Sequence, residues 1–127
     1  MSSLEKTLAP PNSIIFIADP TRPCDVPVDT GAALVTATSS CICVGTLAEM
    51  DGETTINLAA TFDTCTGHLV FDGLLQTPGL QVAVSDSAAE TILSMHVQSR
   101  TTHVQIWAND PSEPDVVFIQ ARIDGAK

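Results

Sequence analysis

The chain contains no Tyr, one Trp and four Phe, so aromatics make up only 4% of its 127 residues. A platform that stacks bases or sugars needs aromatic faces, and this composition speaks against one. Basic residues are also scarce: 5 Lys and Arg stand against 15 Asp and Glu, a formal net charge of −10. Between Arg22 and Arg100 there is no Lys or Arg at all. Nucleic-acid binding depends on neutralising phosphates with such residues, so no nucleic-acid partner is expected. No run of 18 apolar residues is present, and no membrane-spanning helix is expected. The first eleven residues have no apolar stretch after a basic start, so no signal peptide is expected there and a cytoplasmic location is the expectation.

Catalytic signatures are missing too. The sequence holds no G-x-S-x-G, G-x-x-x-x-G-K-[ST], G-x-G-x-x-G or H-E-x-x-H. Its four cysteines, Cys24, Cys41, Cys43 and Cys65, include no C-x-x-C pair. Cys41 and Cys43 share one face of a strand, but the spacing of the four matches no zinc pattern, and packing is the preferred reading. No cofactor is expected.

What remains is a hydrophobic content of 44% carried mainly by Val, Ile, Leu and Ala, in short runs punctuated by turn residues. This length supports one domain that buries a core without a metal or disulfide. Residues 1–12, with Pro10-Pro11, read as an N-terminal arm, and residues 1–127 as a single domain. Strands are expected at 13–18, 40–48, 53–60, 68–75, 80–85, 91–98, 103–108 and 115–123, with a weak one at 31–38. At most one short helical turn is expected, at Asp86 to Glu90. Eight or nine short strands predict an all-β, antiparallel sandwich with jelly-roll character.

Two hairpins are expected. The first joins 40–48 to 53–60 around Asp51-Gly52. A two-residue loop places Cys43, Gly45 and Leu47 with Ile56, Leu58 and Ala60. A three-residue loop places Ile42, Val44 and Thr46 there instead and takes Cys41 and Cys43 out of the main core. The latter is preferred because it matches apolar to apolar. The second hairpin joins 91–98 to 103–108 around Ser99 to Thr102. It puts Leu93, Met95, Val97, Val104 and Ile106 inward and His96, Gln98, His103, Gln105 and Trp107 outward.

That outward set is the candidate partner-binding surface. His96 and His103 are diagonal neighbours in this register, close enough to share a metal if a third ligand joined them. Two acidic clusters, Glu49/Asp51/Glu53 and Asp110/Glu113/Asp115, lack calcium-loop spacing and read as solvated turns.

The order of elements resembles small bacterial β-sandwich proteins of the competence-J type, which inhibit a DNA-entry nuclease. The likeness lies in an early strand with a Pro-rich loop (Ile14 to Pro27), in Asp29-Thr-Gly-Ala-Ala33 leading into a strand-turn-strand, and in Val104-Gln-Ile-Trp107 with a Pro-containing loop before Val116 to Ile123. It implies an inhibitory binding protein rather than an enzyme. Composition and resemblance together lead to the expectation of an acidic, non-enzymatic binding module, an inhibitor or immunity-type protein for a basic partner such as a nuclease. A metal-binding protein or small metal-dependent enzyme using His96 and His103 is the alternative, and a structural homo-oligomer subunit the second.

Overall fold

The computed structural model describes residues 3–22, 25–27 and 33–123. Ten strands form two five-stranded sheets. Sheet I has the order β1 (Leu4–Leu8), β5 (Thr54–Ala59), β10 (Val116–Ile123), β9 (Thr101–Ala108), β6 (His68–Gln76). Sheet II has the order β3 (Val35–Ala37), β4 (Cys41–Gly45), β2 (Ile14–Ala18), β7 (Gln81–Asp86), β8 (Thr91–His96). Every pairing is antiparallel except that of β5 with β10. The fold is therefore the expected all-β sandwich. Its one helical element among the described residues is a 3₁₀ turn at Pro11–Ser13 rather than at Asp86 to Glu90.

The core forms where the inner faces meet. Ile15, Ile17, Ile42, Val44, Val82 and Val84 of sheet II lie against Ile56, Leu58, Leu75, Val104, Ile106, Val117 and Ile119 of sheet I, all fully buried. β-branched residues dominate because they suit a pleated surface packed on one side.

Both expected hairpins are corrected by the topology. β4 belongs to sheet II and β5 to sheet I, and the same division separates β8 from β9. Each link therefore crosses between layers instead of turning back within one. Most of the inward sets are nonetheless as expected: Ile42, Val44, Thr46, Ile56 and Leu58 are buried, as are Val97, Val104 and Ile106, whereas Ala60, Leu93 and Met95 are half-buried. Two strands facing each other across a core bury the same alternate residues as two strands lying side by side. The period of two thus fixes the face and leaves the pairing open.

Two further differences concern the coverage of the sheets. Leu4–Leu8, expected within an arm, runs antiparallel to β5 as β1, with the Thr7 and Thr55 hydroxyls 2.9 Å apart. Cys41 and Cys43 lie on the outer side of β4, away from the main core as expected, yet both are buried. Beside Cys43, Val26, Pro27, Ala33 and Leu34 wall a cavity of about 440 Å³ over the outer face of sheet II. Cys24 and residues 28–32, which include the start of the Asp29 to Ala33 segment, lie outside the described residues.

Candidate functional site

Strand parity brings an ordered polar chain to the outer face of sheet I. Gln105 on β9 stands opposite Gln120 on β10 and Asp72 on β6, and His103 stands opposite Leu74 and Arg122. His103 Nε2 lies 2.5 Å from Asp72 Oδ1, and Gln105 Nε2 donates to Asp72 Oδ2 at 3.1 Å. Gln120 Nε2 donates to Gln105 Oε1 at 2.9 Å, and Gln120 Oε1 accepts the Phe62 backbone N–H at 3.0 Å. Hydrogen bonds from His103 and then Gln105, with the charges of His103 and Arg122 adding to them, hold the Asp72 carboxyl below its usual range. These contacts form a continuous hydrogen-bonded polar surface, and none of them includes a Ser, Thr or Cys side chain.

Apolar groups adjoin it. Leu69 pairs with Trp107, which pairs in turn with Phe118. The segment from Ala60 to Gly67 crosses the face and sets Phe62 edge-on to Phe118, with ring centroids 5.2 Å apart. Gly67 ends that crossing in a left-handed conformation (φ 90°), and a Cβ there would lie 2.3 Å from the Ala108 carbonyl oxygen. Trp107 is half-buried like Phe118, while Leu69 and Leu74 are 49% and 53% exposed.

The candidate residues are therefore divided. His103, Gln105 and Trp107 share this face, with His103 and Gln105 tied through Asp72. His96 pairs with Gln81 on the outer side of sheet II. Gln98 follows it, and the two line a small cavity of about 180 Å³ with Ala60, Met95, Val97 and Ala121. The expected diagonal contact of His96 with His103 does not form, because β8 and β9 lie in different sheets. Among the described residues no group of three or more His, Cys, Asp or Glu side chains could hold a metal ion. Cys65 sits in the crossing segment, where burial pushes its thiol upward.

The sequence did not single out Asp72 or Gln120. The signal for Asp72 was a lone charge inside Leu69-Val-Phe-Asp-Gly-Leu-Leu75, which only the pairing with β9 explains.

One end of the sandwich gathers charge of one sign. The Leu47 N–H donates to the Pro114 carbonyl at 2.9 Å, joining the loop of Glu49, Asp51 and Glu53 to that of Asp110, Glu113 and Asp115. Asn12 and Ser13 close the same end through Glu49, at 3.2 Å in each direction. Met50, between two of these acids, is 93% exposed. Asp110 accepts from the backbone N–H of Glu113 and then of Ser112, which lowers its pKa. Arg22 and Arg100 lie at the opposite end, near the Thr77–Gly79 turn. The sandwich is thus electrostatically polar along its strands.

No protein-family model matches the chain, and no curated protein matches it. Among solved structures, the chain is similar to the crystal structure of ComJ, inhibitor of the DNA degrading activity of NucA, from Bacillus subtilis. The TM-score is 0.60 at 12% identity, over 95% of this chain and 96% of that one. The resemblance seen in element order thus extends to the fold. No helix among the described residues is long and apolar enough to cross a membrane.

Proposed function

We propose that this chain is a non-enzymatic acidic module that binds and inhibits a basic protein, with a DNA-degrading nuclease as the first partner to test. The observation that carries the reading is the likeness of its fold, over nearly its whole length, to a protein described as a nuclease inhibitor. A shared fold alone does not transfer an activity. The chain's own residues supply the independent support: a charge of −10, one sandwich end lined by carboxylates, and an outer sheet face with ordered polar groups beside exposed apolar ones. A surface of this sign accelerates encounter with a basic protein and repels nucleic acid, so inhibition would proceed by occupying the enzyme and not by competing for DNA through binding it. A cytoplasmic site of action in a bacterium belongs to the same proposal.

The test is DNA degradation by purified basic nucleases of the source organism, measured with and without the chain. Loss of activity at near-stoichiometric amounts for one of them is expected. Unchanged degradation across the set contradicts the reading.

A further inference from the structure

The outer faces of the two sheets are each covered in part, and the exposed positions on sheet II at β7 and β8, Gln81, Ser94 and His96, are polar. On sheet II, Cys41, Cys43 and Ala83 are buried. On sheet I the crossing segment covers β10, where Gln120 is buried and Phe118 half-buried, and the outward residues of β9 are half-buried as well, but Leu69, Asp72 and Leu74 on β6 are exposed. Leu69 and Leu74, two of the five exposed large hydrophobic side chains among the described residues, are both on β6, with half-buried Trp107 beside Leu69. β6 is also a sheet edge, paired on one side only among the described elements. It is nine residues long and has neither Pro nor Lys, and its register with β9 shifts once, between Leu69 and Phe71. Isolated exposed leucines need no explanation, but here two share one open edge strand, Leu69 opposite Trp107 and Leu74 opposite His103, with the bonded Asp72 between them.

We infer that this half of the outer face of sheet I, with the free edge of β6, is the surface on which the basic partner docks. The inference rests on the reading above and locates it. Charge complementarity selects the occupant. The basic side chains on this face, His103 and Arg122, both act on Asp72. Its border at one end is acidic, with Asp63 in the crossing segment and Asp110, Glu113 and Asp115 in the loop that follows Trp107 and Ala108, while Arg100 stands at the other end, just before β9. No Lys or Arg occurs in β5, the crossing segment or β6. A second copy would bring another −10 to the same place. An Arg- or Lys-bearing protein surface meets all three features. Its aliphatic stems cover Leu69 and Leu74, its guanidinium groups stack on Trp107, and its backbone can add to the β6 edge.

The experiment compares two double variants in nuclease inhibition, with the inhibited nuclease of the preceding section as probe. Leu69→Arg with Leu74→Arg reverses the character of the face at exposed positions. His96→Arg with Gln98→Arg adds the same charge at the far sheet. Circular dichroism and thermal midpoints establish that both fold. The first pair is expected to weaken inhibition by about tenfold or more and the second by about twofold or less. Equal losses, or a loss confined to the His96/Gln98 pair, overturn the docking face and leave the inhibitor reading intact. A wild-type chain that inhibits none of the nucleases removes that reading, and the inference with it. Sedimentation of the free chain adds a further outcome: a dimer dissolved by the Leu69/Leu74 pair assigns the face to a second copy and overturns the proposal.

Discussion

The Asp72 carboxylate on β6 is held by the His103 ring of β9, Nε2 to Oδ1 at 2.5 Å, with both groups on the open side of sheet I. An ionised carboxylate only accepts, so the proton between them resides on Nε2. This contact, with that of Gln105, lowers the Asp72 pKa. Asp110 is lowered by backbone N–H groups. At Asp19 burial raises the pKa, but bonds from Thr21 and the Gly79 N–H outweigh it and the net shift is downward. A carboxyl with a lowered folded-state pKa contributes stability that is present above its unfolded pKa and lost as pH falls through the folded one. Urea unfolding is therefore expected to show a stability plateau above the ordinary carboxylate range and a decline below about pH 4. Asp72→Asn should flatten part of that decline. An Asp72→Asn curve parallel to that of the wild type at every pH would contradict the assignment.

Asp19 closes the opposite end of the sandwich. It is buried, its Oδ1 accepts the Thr21 N–H at 2.8 Å and the Thr21 hydroxyl at 2.7 Å, and its Oδ2 accepts the Gly79 N–H. Asp19→Ala leaves those donors without their acceptor and is expected to cost about 1–3 kcal/mol. Gly79→Ala should be at least as damaging, because the new Cβ would lie 1.7 Å from Thr21 Oγ1. Thermal melts of both variants measure this. A Gly79→Ala protein as stable as the wild type would show that the turn yields freely.

Core and face should separate cleanly along β9. Ile106 is fully buried, and Ile106→Ala is expected to cost roughly 2–5 kcal/mol. Its neighbour Gln105 points outward, so Gln105→Ala should cost about 1 kcal/mol or less. Denaturant midpoints decide it, and similar costs for the two would contradict the alternation.

Metal content follows from the separation of His96 and His103 on different sheets. Protein purified without a tag or chelator should carry the same sub-stoichiometric metal as a His96→Ala, His103→Ala double variant. Stoichiometric zinc lost from the double variant would show that the two imidazoles do meet.

These residues also show what a sequence conveys. A period of two places Val97, Val104, Ile106, Ile42 and Val44 in the core, and all are buried. The same pattern could not decide which strands pair. Asp51-Gly52 and Ser99 to Thr102 look like hairpin turns locally, but both carry the chain across the core, because the long-range partners β10 and β2 satisfy β5 and β4. That crossing sent His96 away from His103 and brought Asp72 and Gln120 to Gln105, across sequence separations of 33 and 15 residues. The two acidic loops were each visible, but their union through Leu47 and Pro114 depends on a contact between distant segments. β1 was obscured because four of its five residues are exposed and show no alternation.

The central claim is that an acidic surface holds a basic nuclease, and the salt dependence of that complex tests it most directly. Calorimetric titration of the inhibited nuclease with the chain, from about 50 mM to about 500 mM ionic strength, should show one-to-one binding that weakens by about tenfold or more as screening shortens the reach of the carboxylates. Absence of binding at the lowest salt, or an affinity that does not change across the range, would contradict it.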